Sequence, residues 1–244
     1  MASAEMIEMR SVRFMYGAAE DGLQPFSLSV DNLSVAPGQR VACIGPSGAG
    51  KSTLINLMAG CLVAHGGSVR VLGKELSAMG ERHRRRMRLC EIGLVFQELE
   101  LLEYLTSYEN IELASTLGAS LAGVKVADRV ASLAAAAGIT HTLNRRPAQL
   151  SQGERQRVAV CRALLPAPRL VLCDEPTGNL DPQSTIAVTE LLLDECRRVG
   201  AAVVMITHNH GLLGRFDRVI EVVRDSDGAS VRDHRPVWPS EGQT

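Results

Sequence analysis

The chain has 244 residues, 26 of them Lys or Arg and 27 Asp or Glu, for a formal net charge of -1. That balance gives no global basic field for nucleic acid and no acidic excess of the kind that keeps chains disordered, and 3% aromatic residues leave little for a base-stacking surface. The bulk, 45% hydrophobic, is that of a soluble globular protein long enough to bury a substantial interior.

Residues 5–14 alternate, Met6, Glu8 and Arg10 against Ile7, Met9, Val12 and Phe14, which predicts a strand followed by a loop over 16–25. Alternation resumes over 26–30 and 33–35, before Pro37-Gly38 turns the chain into the apolar run that ends at Ile44. An antiparallel layer therefore precedes the next stretch, Gly45-Pro46-Ser47-Gly48-Ala49-Gly50-Lys51-Ser52-Thr53. This fits G-x-x-x-x-G-K-[ST] without a gap and opens a helical pattern carried by Leu54, Ile55, Leu57 and Met58. Its glycines let successive N–H groups point inward, and the helix start adds a positive end, so the loop is built to cradle phosphates. Lys51 then reaches the β- and γ-phosphates as a point charge, and the Ser52 hydroxyl ligates Mg²⁺.

The first helix ends near Gly60, and 68–71 predicts one more strand of the antiparallel layer. Arg82, Arg84, Arg85, Arg86 and Arg88 form the one marked charge run, read as a solvated helix face with a nucleic-acid or anionic-lipid patch as the alternative. An apolar strand over 92–96 delivers Gln97 at its end. From 99 to 150 the periodicity is helical, with an alanine-rich stretch stopped by Gly138, which predicts a helical insertion. Ser151-Gln152-Gly153-Glu154 carries the capping-box spacing and starts a helix that Pro166 and Pro168 end. The runs 170–173 and 202–206 are apolar throughout, as in parallel strands covered on both faces, and terminate in Asp174-Glu175 and Thr207-His208. A hairpin closes the chain at 219–231, and a polar tail containing Trp238 follows.

Four apolar strands thus deliver polar chemistry at one end: the phosphate loop, Gln97, Asp174-Glu175 and His208. In a parallel sheet ligands bind beyond the carboxyl ends of the strands, so these residues gather around one nucleotide. Asp174 suits a Mg²⁺ site, and Glu175 beside it can polarise an attacking water. His208 can bond the γ-phosphate, and Gln97 can touch both metal and water. Six cysteines, scattered without C-x-x-C spacing, read as small buried hydrophobes of a reducing compartment.

With these motifs in this order, the chain resembles the nucleotide-binding subunits of ATP-binding cassette transporters, over almost its whole length. Leu150-Ser151-Gln152-Gly153-Glu154 stands where that family has its LSGGQ signature, and Arg155-Gln156-Arg157-Val158 continues as the family does. The resemblance implies an α/β fold: a P-loop NTPase core with a mostly parallel sheet, an antiparallel β layer and a helical insertion subdomain. The implied layout is a single domain, with 1–97 and 161–232 as the core, 98–160 as the helical subdomain and 233–244 as the tail. It also implies that two chains pack head to tail around two ATP molecules, with Ser151 and Gly153 of one chain at the γ-phosphate held by Lys51 of the other. Asp181, in Asn179-Leu180-Asp181, then lies at the dimer seam, and Tyr16 stacks on adenine, with its neighbour Phe14 as the alternative.

The 176–181 stretch and Phe96-Gln97 with Leu101-Leu102 are similar to the branch serving lipoprotein release, macrolide export and cell-division mechanotransmission. Gln152 departs from the first signature glycine and places a side chain near the phosphate; Cys161 and Asn209 also depart from commoner choices. The function implied is an ATPase that drives a separate transmembrane permease. It would be cytoplasmic, reaching the membrane's inner face only through that permease, and without nucleic acid as a partner. A soluble relative acting on DNA or ribosomes is the alternative. The leucines and Tyr104 of 98–108 are either the permease contact or an anchor to the core.

Overall fold

The computed structural model describes residues 5–17, 26–96, 101–119, 125–178, 180–225 and 228–234. Gln97, Asn179 and Trp238, all named above, lie outside the described residues, as do residues 98–100 of the segment read as a permease contact or core anchor.

The antiparallel strands are β1 (Ile7–Met15), β2 (Ser27–Val35), β4 (Gly66–Val71) and the short β5 (Lys74–Glu75), with β3 (Arg40–Ile44) between β2 and β4 in the chain. Helix α1 (Lys51–Met58) follows β3 directly, and α2 (Glu81–Cys90) leads into β6 (Ile92–Val95). The helical stretch resolves into α3 (Ser107–Thr116), α4 (Val126–Ala136) and α5 (Gln152–Leu164), with short 3₁₀ turns at Thr140–Thr142 and Pro147–Gln149 between α4 and α5. Then come β7 (Leu170–Cys173), α6 (Pro182–Val199), β8 (Ala202–Ile206), and the hairpin of β9 (Arg218–Asp225) and β10 (Gly228–His234).

The expected antiparallel layer is not detached from the parallel core. Among the described residues all strands join one ten-stranded sheet in the order β5-β4-β1-β2-β10-β9-β3-β8-β7-β6. The terminal hairpin makes the join: β9 runs parallel to β3, while β10 pairs antiparallel with β9 and, through Ala229 and Ser230, parallel with β2. Helix α5 runs continuously through 160/161, and β10 carries the sheet to His234, inside the expected tail.

Alternation along the parallel strands divides the interior in two. In β7, Leu170 and Leu172 face the layer containing α1 and the antiparallel strands, whereas Val171 and Cys173 face α4, α5 and α6. Residues such as Leu133 and Leu192 are completely buried on the helical side, each contributing about 1.5–3 kcal/mol relative to exposure. The helical insertion is also clasped electrostatically: Arg129 of α4 meets Glu195 of α6 at 3.5 Å, with both side chains nearly buried. Four cysteines sit in these cores, but Cys61 is exposed and Cys90 half-buried. No helix among the described residues is long and apolar enough to cross a membrane.

The arginine run is not a uniformly solvated face. Arg84, Arg85 and Arg88 all converge on Glu81, and Arg88 also donates to the Gly60 carbonyl at 2.7 Å. Two turns of helix bring residues three, four and seven along onto the face of the first, so a single carboxylate gathers three of the five arginines.

Candidate active site

Registry places the chemistry. Cys43 pairs with Ile206, Met205 with Cys173, and Cys173 with Val95, so these four parallel strands end within about a residue of one another. The phosphate loop, Asp174-Glu175 and Thr207-His208 therefore share one edge of the sheet.

Two loop glycines have no substitute. Gly45 has φ 144°, and a Cβ there would lie 2.2 Å from the Val222 carbonyl oxygen; Gly50 has φ 104°, and its Cβ would meet the Phe26 ring at 2.5 Å. Both permit the loop to press against its neighbours while Pro46, Ser47 and Gly48 stay exposed and Ala49 is buried. Lys51, only 5% exposed, donates to the carbonyls of Gly45 and Pro46, both at 3.0 Å, so its ammonium arches back over the loop. Ser52, on the next helical position, is exposed and hydrogen-bonds Asp174. Thr53 is buried, its hydroxyl 3.5 Å from that of Tyr16.

Burial pushes the Asp174 carboxyl above its usual range, and the neighbouring Glu175 carboxylate adds to this, while Ser52 and Lys51 oppose it. A half-buried carboxylate that is costly to ionise, bonded to a hydroxyl, is a donor set that suits a hard divalent cation. Glu175 occupies φ 47°, a left-handed conformation unusual for a residue other than glycine. Its Oε1 lies 2.6 Å from His208 Nε2 and 3.9 Å from Lys51 Nζ. The strained backbone, the histidine and the ammonium together fix the carboxylate beside the phosphate loop.

A cleft of about 440 Å³ is lined by Tyr16, Phe26, the loop, Lys51, Ser52, Thr53 and Glu175. Phe14 is buried, whereas Tyr16 is 47% exposed, and of the two only Tyr16 opens onto the cleft. Phe26 is a site residue that the sequence reading took only for a strand position. Its ring lies 5.8 Å from that of Tyr16, with the Arg224 guanidinium 5.7 Å away. Nothing in the alternation around Phe26 distinguishes it; its role comes from Gly50, whose missing side chain makes room for the ring.

The signature residues assemble elsewhere. Ser151 caps α5: it accepts from the Glu154 N–H at 3.3 Å, and Glu154 Oε2 accepts from both the Ser151 N–H (2.8 Å) and hydroxyl (2.9 Å). Gln152 is exposed, and Gly153 backs onto Ser184. Asp181 caps α6, accepting from the N–H groups of Gln183 and Ser184, both at 3.0 Å. None of residues 151–154 lines the phosphate-loop cleft. Asn209 has a plain structural role, its side chain accepting from Gly211 N–H to start the 3₁₀ turn His210–Arg215.

Comparison with known proteins agrees with this geometry. The family model described as "ABC transporter" matches residues 28–178. The chain is 41% identical over 219 residues, 89% of its own length and 94% of the relative's, to the lipoprotein-releasing system ATP-binding protein LolD 2 of Caulobacter vibrioides. It is 40% identical over 195 residues, 80% of its length and 86% of the relative's, to LolD of Pseudomonas fluorescens. Among solved structures, the dimeric bacterial ABC transporter cassette MJ0796 superposes with a TM-score of 0.80 at 29% identity, covering 94% of this chain and 98% of that one. A post-hydrolysis dimer of the same cassette bound to ADP and Pi gives 0.79 at 28% identity, with the same coverage.

Proposed function

Because the chain belongs to the ATP-binding cassette transporter family, and so is an ATP-hydrolysing transport subunit, we propose that it powers a permease of the lipoprotein-releasing kind as a two-chain ATP sandwich. The observation that carries the sandwich is the separation of the two clusters. The phosphate loop, Asp174, Glu175 and His208 form one half of a nucleotide site, and Ser151 to Glu154 form a helix start with no phosphate loop beside it. A second chain, packed head to tail, supplies each half with the other.

In this reading Tyr16 and Phe26 hold the adenine, and the N–H groups of 45–53 with Lys51 hold the phosphates. Ser52 and Asp174, with Gln97 as expected from the sequence, would hold Mg²⁺, and the ion would supply positive charge against the phosphates. Glu175 takes the proton of the attacking water, steadied by His208, and Ser151 and Gly153 close on the γ-phosphate from the other chain, next to Asp181 at the seam. The helical insertion over 98–160 meets the permease, which alone brings the chain to the inner face of the membrane.

Mixing two disabled chains tests the shared site. A Lys51→Ala chain and a Ser151→Arg chain, each unable to form two intact sites alone, should recover ATP-dependent dimer when combined, because one composite site remains whole. Light scattering with ATP reads this out; failure to recover dimer, with each chain folded, would reject the sandwich.

A further inference from the structure

We propose that His141 is a positioning residue for the signature cluster, holding the Glu154 carboxylate so that the Ser151 hydroxyl is free to turn to a phosphate brought by a second chain. This rests on the reading of Ser151 as a partner-site residue.

A hydroxyl has one hydrogen. Bonding to Ser151 holds the Glu154 carboxyl below its usual range, with His141 adding to the effect, so Glu154 is ionised and can only accept. The hydrogen in the 2.9 Å contact between Ser151 Oγ and Glu154 Oε2 is therefore the serine's. While it points at Glu154 it cannot be given to a phosphate, and turning it away costs the carboxylate one of its three donors where a phosphate must approach.

His141 meets the other side of this carboxylate, its Nε2 3.0 Å from Oε1, and since Glu154 only accepts, Nε2 carries the hydrogen. It arrives from a separate element, the 3₁₀ turn Thr140–Thr142, which is fixed by the Thr142 hydroxyl donating to the Ile139 carbonyl at 2.7 Å. Glu154 thus keeps two donors, His141 and the Ser151 backbone N–H, when the Ser151 hydroxyl turns away.

A second capping box in the chain separates this role from helix capping. Thr106 and Glu109 at the start of α3 repeat the bonds, the Thr106 N–H at 2.7 Å and hydroxyl at 2.9 Å to one Glu109 oxygen. Among the described residues no histidine meets Glu109. The charge of Arg146 helps to lower the Glu109 carboxyl there, so a cap of this kind forms without a histidine, and the variants below separate a role of His141 beyond the helix start from capping.

The test uses the full chain in a Glu175→Gln background, measuring ATP-dependent dimerisation by light scattering, monomer affinity with a fluorescent ATP analogue, and thermal unfolding. His141→Ala should raise the ATP concentration for half-dimerisation about three- to tenfold, as expected for one lost hydrogen bond of ordinary strength, because the histidine is largely exposed. Monomer affinity and unfolding midpoint should stay at the parent values. His141→Gln, which keeps an N–H donor, should restore most of the loss, and His141→Ala should have no effect once Glu154 is Gln, the signature of a coupled pair. Dimerisation unchanged in His141→Ala, the same loss with Glu154→Gln present, or a lowered unfolding midpoint that accounts for the loss would each overturn the role. Ser151→Ala distinguishes the levels: if it too leaves dimerisation unchanged, the shared-site reading falls along with the proposal, whereas if it weakens dimerisation while His141→Ala does not, only the role of His141 falls.

Discussion

His208 Nε2 lies 2.6 Å from Glu175 Oε1, a contact made across the ends of two adjacent parallel strands, β7 and β8, two and three residues beyond the paired Cys173 and Met205. The sheet registry thus sets the position of the carboxylate beside the phosphate loop, and the left-handed backbone at Glu175 aims it. A carboxylate held this way can take a proton from water, and an amide cannot. Glu175→Gln should therefore keep ATP affinity within a factor of about two while turnover falls by roughly 10²–10⁴. Nucleotide titration and steady-state phosphate release on one preparation check it, and turnover near the parent rate would remove Glu175 from the role.

Tyr16 and Phe26 face the cleft, and Phe14 does not. Aromatic stacking on a base is worth about 1–3 kcal/mol by alanine substitution, so Tyr16→Ala should weaken ATP binding by that amount. Phe14→Leu should instead lower the unfolding midpoint and leave affinity unchanged, since its ring is packed in the interior with its edge against Tyr16 at 4.9 Å. Binding of ATP compared with inorganic triphosphate separates the two: a Tyr16→Ala loss equal for both ligands would exclude stacking.

Much of this architecture was legible in the chain because its signals are local. The all-apolar runs at 170–173 and 202–206, each with a polar terminus, specify covered parallel strands by composition alone, and the phosphate loop is set by glycines whose spacing survives any context. What was not legible depends on residues far apart in sequence. The bridge that makes one sheet of two layers rests on Ala229 against Leu28 and Ser230 against Ser29, a pairing that no local pattern specifies. Phe26 enters the site only because Gly50 lacks a side chain, and the grip on Glu154 depends on a turn that ends ten residues before the signature serine's helix begins. Loose alternation over 27–35 likewise hid a single strand, because exposed Asp31 and Asn32 interrupt the burial pattern while the register with β1 continues on either side of them.

Glu81 gives a pH signature. Arg88, Arg84 and Arg85 hold its carboxyl down to about 2, from an ordinary value of 4.5. A carboxylate lowered in the folded state contributes stability that is fully present above its unfolded value and lost as pH falls through the folded one. The contribution should therefore be complete above about pH 4.5 and disappear toward pH 2. Thermal unfolding of the parent and Glu81→Gln should differ at pH 6 and converge as the pH approaches 2, with the difference shrinking in high salt because the cluster is exposed. A difference independent of pH would show that the arginines are held by something other than this charge.

Tyr104 is the large hydrophobic residue of the 101–105 segment that is exposed to solvent. It is 69% exposed, while Leu101 packs against the helical core and Leu102 is half-buried. Behind the segment, the fully buried Asn110 accepts from the Leu102 N–H at 2.9 Å and donates to the carbonyls of Leu102, Leu105 and Thr106 at 3.0–3.2 Å. This side chain shapes the backbone of the segment from inside, so Tyr104 is presented on a fixed platform; anchorage then falls to Leu101 and Leu102, and Tyr104 is the residue to test for the expected permease contact. Tyr104→Asp should then release the chain from membranes that contain its permease while ATP binding and the unfolding midpoint of the isolated chain stay unchanged. Leu102→Asp should act differently, lowering the unfolding midpoint because a charge is driven against the half-buried backbone clasp. Fractionation with and without the permease decides it. Retention of Tyr104→Asp on permease-containing membranes would place the contact elsewhere, and binding of the parent to membranes that lack the permease would mean that the lipid surface, rather than a protein partner, holds the chain.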